Sequence, residues 1–108
     1  MLQLNKTLWN MRKNHNQNFQ KNLNQLCQAL LKIDSKKDIK NFLIDLCTAT
    51  ELQAMSERLE VAKLISEKIP YRKISETTGL STTTITRIAN WMKDGKQGYN
   101  KVLKNLES

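Results

Sequence analysis

The sequence lacks the residue groups from which most catalytic and metal centres are built. Its single histidine, His15, stands among asparagines, and its two cysteines, Cys27 and Cys47, form neither a CxxC motif nor a cysteine–histidine cluster. No paired carboxylates and no nucleophile–base arrangement occur in the helical segments. The sequence therefore predicts neither an enzyme nor a metal site. Both cysteines are expected to be small core residues in a reducing compartment.

Long apolar runs, strand patterns and repeats are missing as well. No stretch approaches the roughly 18 apolar residues of a membrane span, and the N-terminus has no apolar segment of a secretory signal. Neither an alternating strand pattern nor an internal repeat is present. We therefore expect an all-α chain with no membrane partner.

What the chain does contain is an excess of positive charge. Its 108 residues carry 18 Lys and Arg against 10 Asp and Glu, a net charge of +8. Both halves contribute, because residues 1–50 carry 8 basic and 3 acidic side chains and residues 51–108 carry 10 and 7. Such a balance favours a polyanionic partner. A basic surface that only keeps the protein dissolved is the alternative.

The first residues differ in composition from the rest. Residues 1–18 are rich in Asn, Gln and Lys, and this composition buries too little apolar surface to order itself. It favours a flexible arm whose basic side chains contact phosphates. A short helix packed through Leu8 and Trp9 is the alternative. Residues 19–108 are expected to form one small helical domain.

Two helices with apolar seams are predicted at the start of that domain. Between residues 17 and 33 apolar side chains recur at steps of four and three, as at the a and d positions of two heptads. The members of this seam are Phe19, Leu23, Leu26, Leu30 and Ile33. Asp34 and Ser35 end the helix and cap the next, residues 36–47. The two helices could fold back on each other, interlock with a second copy, or bind a different protein.

A longer helix with the largest apolar surface of the chain follows. Thr50 and Gln53 form the pattern of a capping box, and the helix is predicted to run to about Lys68 as a central support. Pro70 then interrupts the chain and suits the first turn of the next helix, residues 71–78. A last amphipathic helix near the C-terminus is expected to pack back on the support helix or on a partner copy.

The most informative stretch is residues 71–93, YRKISETTGLSTTTITRIANWMK. Two short helical patterns flank Gly79, a residue that takes the positive φ of a tight bend without strain. Ser81 can cap the second helix with its hydroxyl. This arrangement is typical of a helix-turn-helix, although a plain helical hairpin shares it.

The second of these helices, residues 82–93, has two different faces. Steps of about 100° per residue place an apolar stripe on one side, and its members are Ser81, Ile85, Ile88, Ala89 and Met92. The opposite face consists of Thr82, Thr83, Thr86, Arg87, Asn90 and Lys93. Hydroxyl, amide and guanidinium groups read base edges or bind phosphates in a major groove. Threonine is a mediocre helix former, so several threonines on one helix face favour a role in binding over a solvent-exposed face with no function.

The run TTITR at residues 83–87, with the glycine turn before it and Asn90 after it, resembles the recognition helix of the tryptophan repressor superfamily. The run GKQGYNKVL at residues 95–103 resembles the YerC/YecD branch of that superfamily. The resemblance covers roughly residues 42–106. It implies an intertwined homodimer in which each copy inserts residues 82–93 into the major groove of double-stranded DNA.

The resemblance also implies a set of DNA-binding residues, among which Arg72 matches a DNA contact of the family. Bases would be read by Arg72, Thr82, Thr83 and Thr86, phosphates would be bound by Lys73, Arg87 and Lys93, and Ser81 and Asn90 would add contacts. These residues predict a sequence-specific transcriptional repressor in the cytoplasm, at the nucleoid. The alternatives are a non-specific nucleic-acid-binding module and a helical protein-interaction domain.

A small-molecule corepressor is the remaining question. In the repressor, the arginine that matches Arg87 helps to hold the corepressor, and Arg58 lies one residue out of register with a second such arginine. The repressor has a glycine directly after the first arginine and a serine three residues later, where this chain has Ile88 and Trp91. Isoleucine fills the space that an indole needs. We therefore predict no cofactor and no binding of free tryptophan, with a ligand site at Arg58, Arg87 and Trp91 as the alternative.

Overall fold

The computed structural model describes residues 17–107, which are helical apart from short connections. This part of the chain contains no strand, which confirms the predicted all-α class. Its helices are α1 (Gln17–Lys32), α2 (Lys36–Leu46), α3 (Ala49–Ser66), α4 (Tyr71–Thr78), α5 (Thr82–Asp94) and α6 (Gly98–Leu106). The predicted arm at residues 1–18 lies outside the described residues, except for its last two, which begin α1. None of the described helices is long and apolar enough to cross a membrane.

The chain divides into two compact units, residues 1–48 and 49–108. In the described part of the first unit, Ser35 caps α2 by accepting the Asp38 N–H at 3.1 Å, as its sequence pattern predicts. No residue from 18 to 48 is buried within the single chain. The apolar faces of α1 and α2 therefore form no buried core within the single chain.

The two cysteines correct one prediction of the sequence. Cys27 is exposed and Cys47 only half-buried, so neither is a core residue of the single chain. Both lie in apolar helical patterns, as expected, but no side chain of residues 18–48 is buried in the single chain. An apolar position shows which face a residue occupies, and not whether that face is covered.

The second unit has a continuous core at the centre of its four helices. Its buried residues are Val61, Ala62, Ile74, Ile85, Ile88, Met92 and Leu103. Because α3 packs against α4, α5 and α6, its predicted role as the support helix is confirmed. Its apolar surface is only partly used in the single chain, since Met55 remains 43% exposed.

The ends of α3 and the start of α4 differ from the predicted ones. The helix begins at Ala49, so Thr50 lies inside the first turn and is not the N-cap. It ends in a Schellman motif, in which the Ile69 N–H donates to the Leu64 carbonyl at 3.1 Å and Lys68 takes a left-handed φ of 64°. Pro70 is the N-cap of α4 and not a residue of its first turn. Local sequence patterns leave helix ends uncertain by one or two residues.

Candidate nucleic-acid interface

The turn between α4 and α5 is closed by side chains as well as by a glycine. Gly79 has a φ of 78°, and its N–H donates to the Ser75 carbonyl at 2.9 Å. The Ser75 hydroxyl donates to the Leu80 carbonyl at 2.7 Å. The Thr78 hydroxyl donates to the Ile74 carbonyl at 2.7 Å and accepts the Leu80 N–H at 3.2 Å. These bonds satisfy backbone groups at the helix end and fix the direction in which α5 leaves the turn.

Ser81 caps α5 as predicted, but it does not belong to the buried stripe. Its hydroxyl accepts the Thr84 N–H at 3.1 Å and donates to the Thr84 hydroxyl at 3.0 Å. The side chain is exposed. An N-cap has extended backbone angles, so the helical step of about 100° does not apply to it. Its proton is engaged by the cap, which leaves an oxygen lone pair for any DNA contact.

The inward face of α5 holds the helix against the rest of the second unit. Ile85, Ile88 and Met92 are buried, and Ala89 is half-buried. Removing three large apolar side chains from water is worth several kcal/mol in total, at roughly 1.5–3 kcal/mol each. The orientation of α5 about its own axis is therefore fixed by its inward face.

The outward face presents the residues that the sequence assigned to DNA. The exposed members are Thr82, Thr83, Thr86, Asn90 and Lys93, and Arg87 is half-buried. The Thr86 hydroxyl donates to the Thr82 carbonyl at 2.8 Å, within the same helix. Toward the exterior, Thr86 thus offers its methyl group and an acceptor lone pair. This face combines small polar groups with positive charge and contains no carboxylate.

Helix α4 contributes two exposed cations to the helix-turn-helix. Arg72 and Lys73 lie in its first turn, and both side chains are exposed. The Nε of Arg72 is 3.7 Å from an oxygen of Glu76, one turn further along the helix. Over residues 68–93, Glu76 is the single carboxylate against five Lys and Arg. Such a surface attracts polyanions.

Sequence reasoning missed the residues that close the far end of α5. The Asn100 side-chain amide donates to the Met92 carbonyl at 2.8 Å and to the Gln97 side-chain oxygen at 2.7 Å. The Gln97 side chain also donates to the Lys93 carbonyl at 3.3 Å. An Asn eight residues beyond a helix carbonyl has no local signature. Only the fold brings the two together.

The family profile of the Trp repressor protein matches residues 21–107. The chain belongs to the Trp repressor family. This is a family of DNA-binding regulators and not of enzymes. The match includes the whole of the turn, both helices around it and the Asn100 cap. The resemblance noted in the sequence is thereby confirmed.

Two solved structures and one relative agree with the membership of the Trp repressor family. A TrpR-like protein from Eubacterium eligens superposes with a TM-score of 0.76 at 37% identity, covering 81% of this chain and 90% of its own. A candidate Trp repressor from Staphylococcus aureus gives a TM-score of 0.74 at 34% identity, covering 79% and 85%. The uncharacterized protein YerC of Bacillus subtilis is 36% identical over 87 residues, 81% of this chain and 84% of YerC.

The candidate ligand residues of this Trp repressor family member lie on two helices. Arg58 is half-buried on α3, while Arg87 and Trp91 are half-buried on α5. Ile88, which stands where the repressor has a glycine, is 1% exposed and part of the core. Trp91 packs against the same core. Within the described residues no group of His, Cys, Asp and Glu side chains could hold a metal ion.

Proposed function

We propose that this chain is a sequence-specific DNA-binding repressor that acts as a homodimer and inserts α5 into the major groove. The observation that carries the proposal is the division of α5 into a buried apolar face and an exposed face of threonines. A major groove about 12 Å wide admits one helix, and threonine contacts base edges through its hydroxyl oxygen or its methyl group. Thr82, Thr83 and Thr86 would read bases, together with Arg72 from α4.

Positive side chains around this face would bind the phosphate backbone. Lys73 follows Arg72 on α4, and Arg87 and Lys93 lie along α5. Phosphate contacts fix the register of a protein on the duplex, while base contacts carry the sequence information. Ser81, at the start of α5, would add a contact through an oxygen lone pair. Asn90, further along the outward face of α5, would add one through its amide.

A homodimer is proposed because residues 18–48 have exposed apolar surface and no buried side chain. Helices of 16 and 11 residues are marginal in water unless a packed face stabilises them. Leu31 is 78% exposed, and Leu46, Ile44 and Leu30 are also exposed in the single chain. A second copy offers the same seams and would supply the missing core. Two copies would set their α5 helices about one duplex turn apart, on a palindromic site.

We also propose that DNA binding does not require free tryptophan. Ile88 occupies core volume beside Arg87, and an indole placed there would need that volume. Repression is the proposed mode because a dimer spanning a promoter excludes polymerase without further machinery. A regulator of this kind acts at the nucleoid in the cytoplasm.

The test is enrichment of bound duplexes from a random DNA library, with and without added tryptophan. We expect a palindromic motif with half-sites about 10 base pairs apart and the same motif in both arms. A non-specific module would bind without enriching a motif, and a protein-interaction domain would show no salt-dependent binding to duplex DNA. Insertion of the enriched motif between promoter and reporter then tests for repression.

The threonine face is tested by the double variant Thr83→Ala and Thr86→Ala. We expect its preference for the enriched site to relax by roughly tenfold or more, because each lost base contact is worth about 1–3 kcal/mol. The helical content should persist, since alanine is the better helix former. Thr50→Ala on α3 is the matched control. An unchanged preference in the double variant would refute the assignment.

A further inference from the structure

An acidic residue lies on the surface that is proposed to meet DNA. Glu76 is exposed on α4 and is the single carboxylate between Lys68 and Lys93. A carboxylate near phosphates lowers affinity for every DNA sequence, because like charges repel. The position of Glu76 is therefore unfavourable for DNA affinity alone.

Glu76 also pairs with Arg72, one of the residues proposed to read bases. The pair is four residues apart on one helix, so both side chains lie on the same side. The carboxylate oxygen is 3.7 Å from Nε of Arg72, and the side chains are 61% and 92% exposed, respectively. A guanidinium has five N–H donors in a planar fork. A carboxylate on the Nε side leaves the donors at the tip of the fork available.

The two DNA partners open to Arg72 differ in charge. A guanine edge presents two neutral acceptors, N7 and O6, which bind the tip of a guanidinium in a bidentate way. A phosphate carries a negative charge and would lie beside Glu76 if it bound the same guanidinium. The carboxylate therefore penalises the phosphate contact more than the guanine contact.

We propose that Glu76 is a positioning residue for Arg72 that directs it to a guanine edge and away from phosphates. This inference rests on the proposed function of α4 and α5 in DNA binding. Glu76 lowers non-specific affinity and thereby increases the ratio of specific to non-specific binding. In this proposal Glu76 contacts no base. It orients the Arg72 side chain, and its negative charge disfavours a phosphate beside that side chain.

The experiment compares Glu76→Gln with Glu60→Gln, an equal change of charge at an exposed position of α3. Affinities are measured for the enriched duplex and for a scrambled one across a salt series. We expect Glu76→Gln to bind the scrambled duplex about two- to fivefold more tightly, the effect of one exposed ion pair. The salt slope on that duplex should steepen by about 0.9, which is one additional phosphate contact. The specificity ratio should fall by a similar factor, and Glu60→Gln should leave the ratio and the slope unchanged.

Dependence on Arg72 separates a positioning role from a change of net charge. In an Arg72→Ala background, Glu76→Gln should no longer alter the specificity ratio. In the free protein, the NMR signal of the Arg72 Nε–H should shift in Glu76→Gln and not in Glu60→Gln. The inference would be overturned if Glu76→Gln left the specificity ratio unchanged, or if it changed the ratio equally in the Arg72→Ala background. The proposed function would stand in either case, provided that the wild-type chain enriches a motif. A wild-type chain that enriches no motif would overturn both.

Discussion

At the scale of single residues, the turn before α5 is held by one glycine and by the hydroxyls of two neighbouring residues. Gly79 supplies the left-handed backbone conformation, and the hydroxyls of Ser75 and Thr78 bond to the backbone on either side of it. The glycine is visible in the sequence as a turn residue. The two hydroxyl bonds are not, because serine and threonine in a short helix equally well face water.

Replacement of Gly79 by Ala should destabilise the fold by about 1–2 kcal/mol. A Cβ there meets no atom within 4 Å, so the cost comes only from the positive φ of 78°. Gly98→Ala is the matched control, because it also finds open space and has no such φ; it should be neutral or stabilising by up to about 1 kcal/mol. Urea unfolding at one fixed protein concentration measures both. Equal stabilities of the two variants would contradict this account of the turn.

At the scale of elements, α5 shows how a helix can be held firmly by one face and present the other to solvent. Its N-terminus is capped by Ser81 and its C-terminal carbonyls by Asn100 and Gln97, while Ile85 and Ile88 anchor its middle. Rigid support of this kind lowers the entropy lost when side chains on the opposite face bind a ligand.

A phosphate contact from α4 can be tested through its salt dependence. Lys73→Gln should weaken binding to all duplexes by a similar factor and reduce the salt slope by about one, without a change of the preferred site. Lys101→Gln on α6 removes the same charge outside the helix-turn-helix and should leave the slope unchanged. Binding titrations at several salt concentrations provide the measurement. A variant that instead loses its preferred site would show that Lys73 reads bases.

At the scale of the whole molecule, the two units differ in what they can do alone. Residues 49–108 contain every buried side chain of the described chain, and residues 18–48 contain none. Apolar area that stays in water contributes nothing to stability. The first unit is thus the part of the chain whose stability we expect to depend on a second copy.

Replacement of Leu30 by Glu should dissociate the proposed dimer. Leu30 is a member of the α1 seam and is 36% exposed in the single chain. Gln28→Glu adds the same charge on nearly the opposite side of α1, about 160° from Leu30 around the helix axis, and should preserve the dimer. Sedimentation velocity over a range of concentrations gives the mass of each variant. A monomeric wild-type chain, or a Leu30→Glu dimer, would contradict the proposal.

The sequence alone determined the helical class, the position of the helix-turn-helix and the family. Periodicity of 3.6 residues, one glycine and a serine cap are local properties, and local properties are readable without a fold. The outward threonine face of α5 was predictable for the same reason. The exact starts of α3, near Thr50, and of α4, near Pro70, could not be predicted from the sequence, because competing backbone hydrogen bonds decide them.

The tertiary structure decided which apolar positions become core. Cys27 and Val61 both occupy apolar helical patterns, yet Cys27 is exposed and Val61 is fully buried. It also decided that Asn100, on α6, caps the end of α5. A sequence pattern states which way a side chain points along one helix. Burial and pairing depend on what lies opposite, and only the packed chain supplies that.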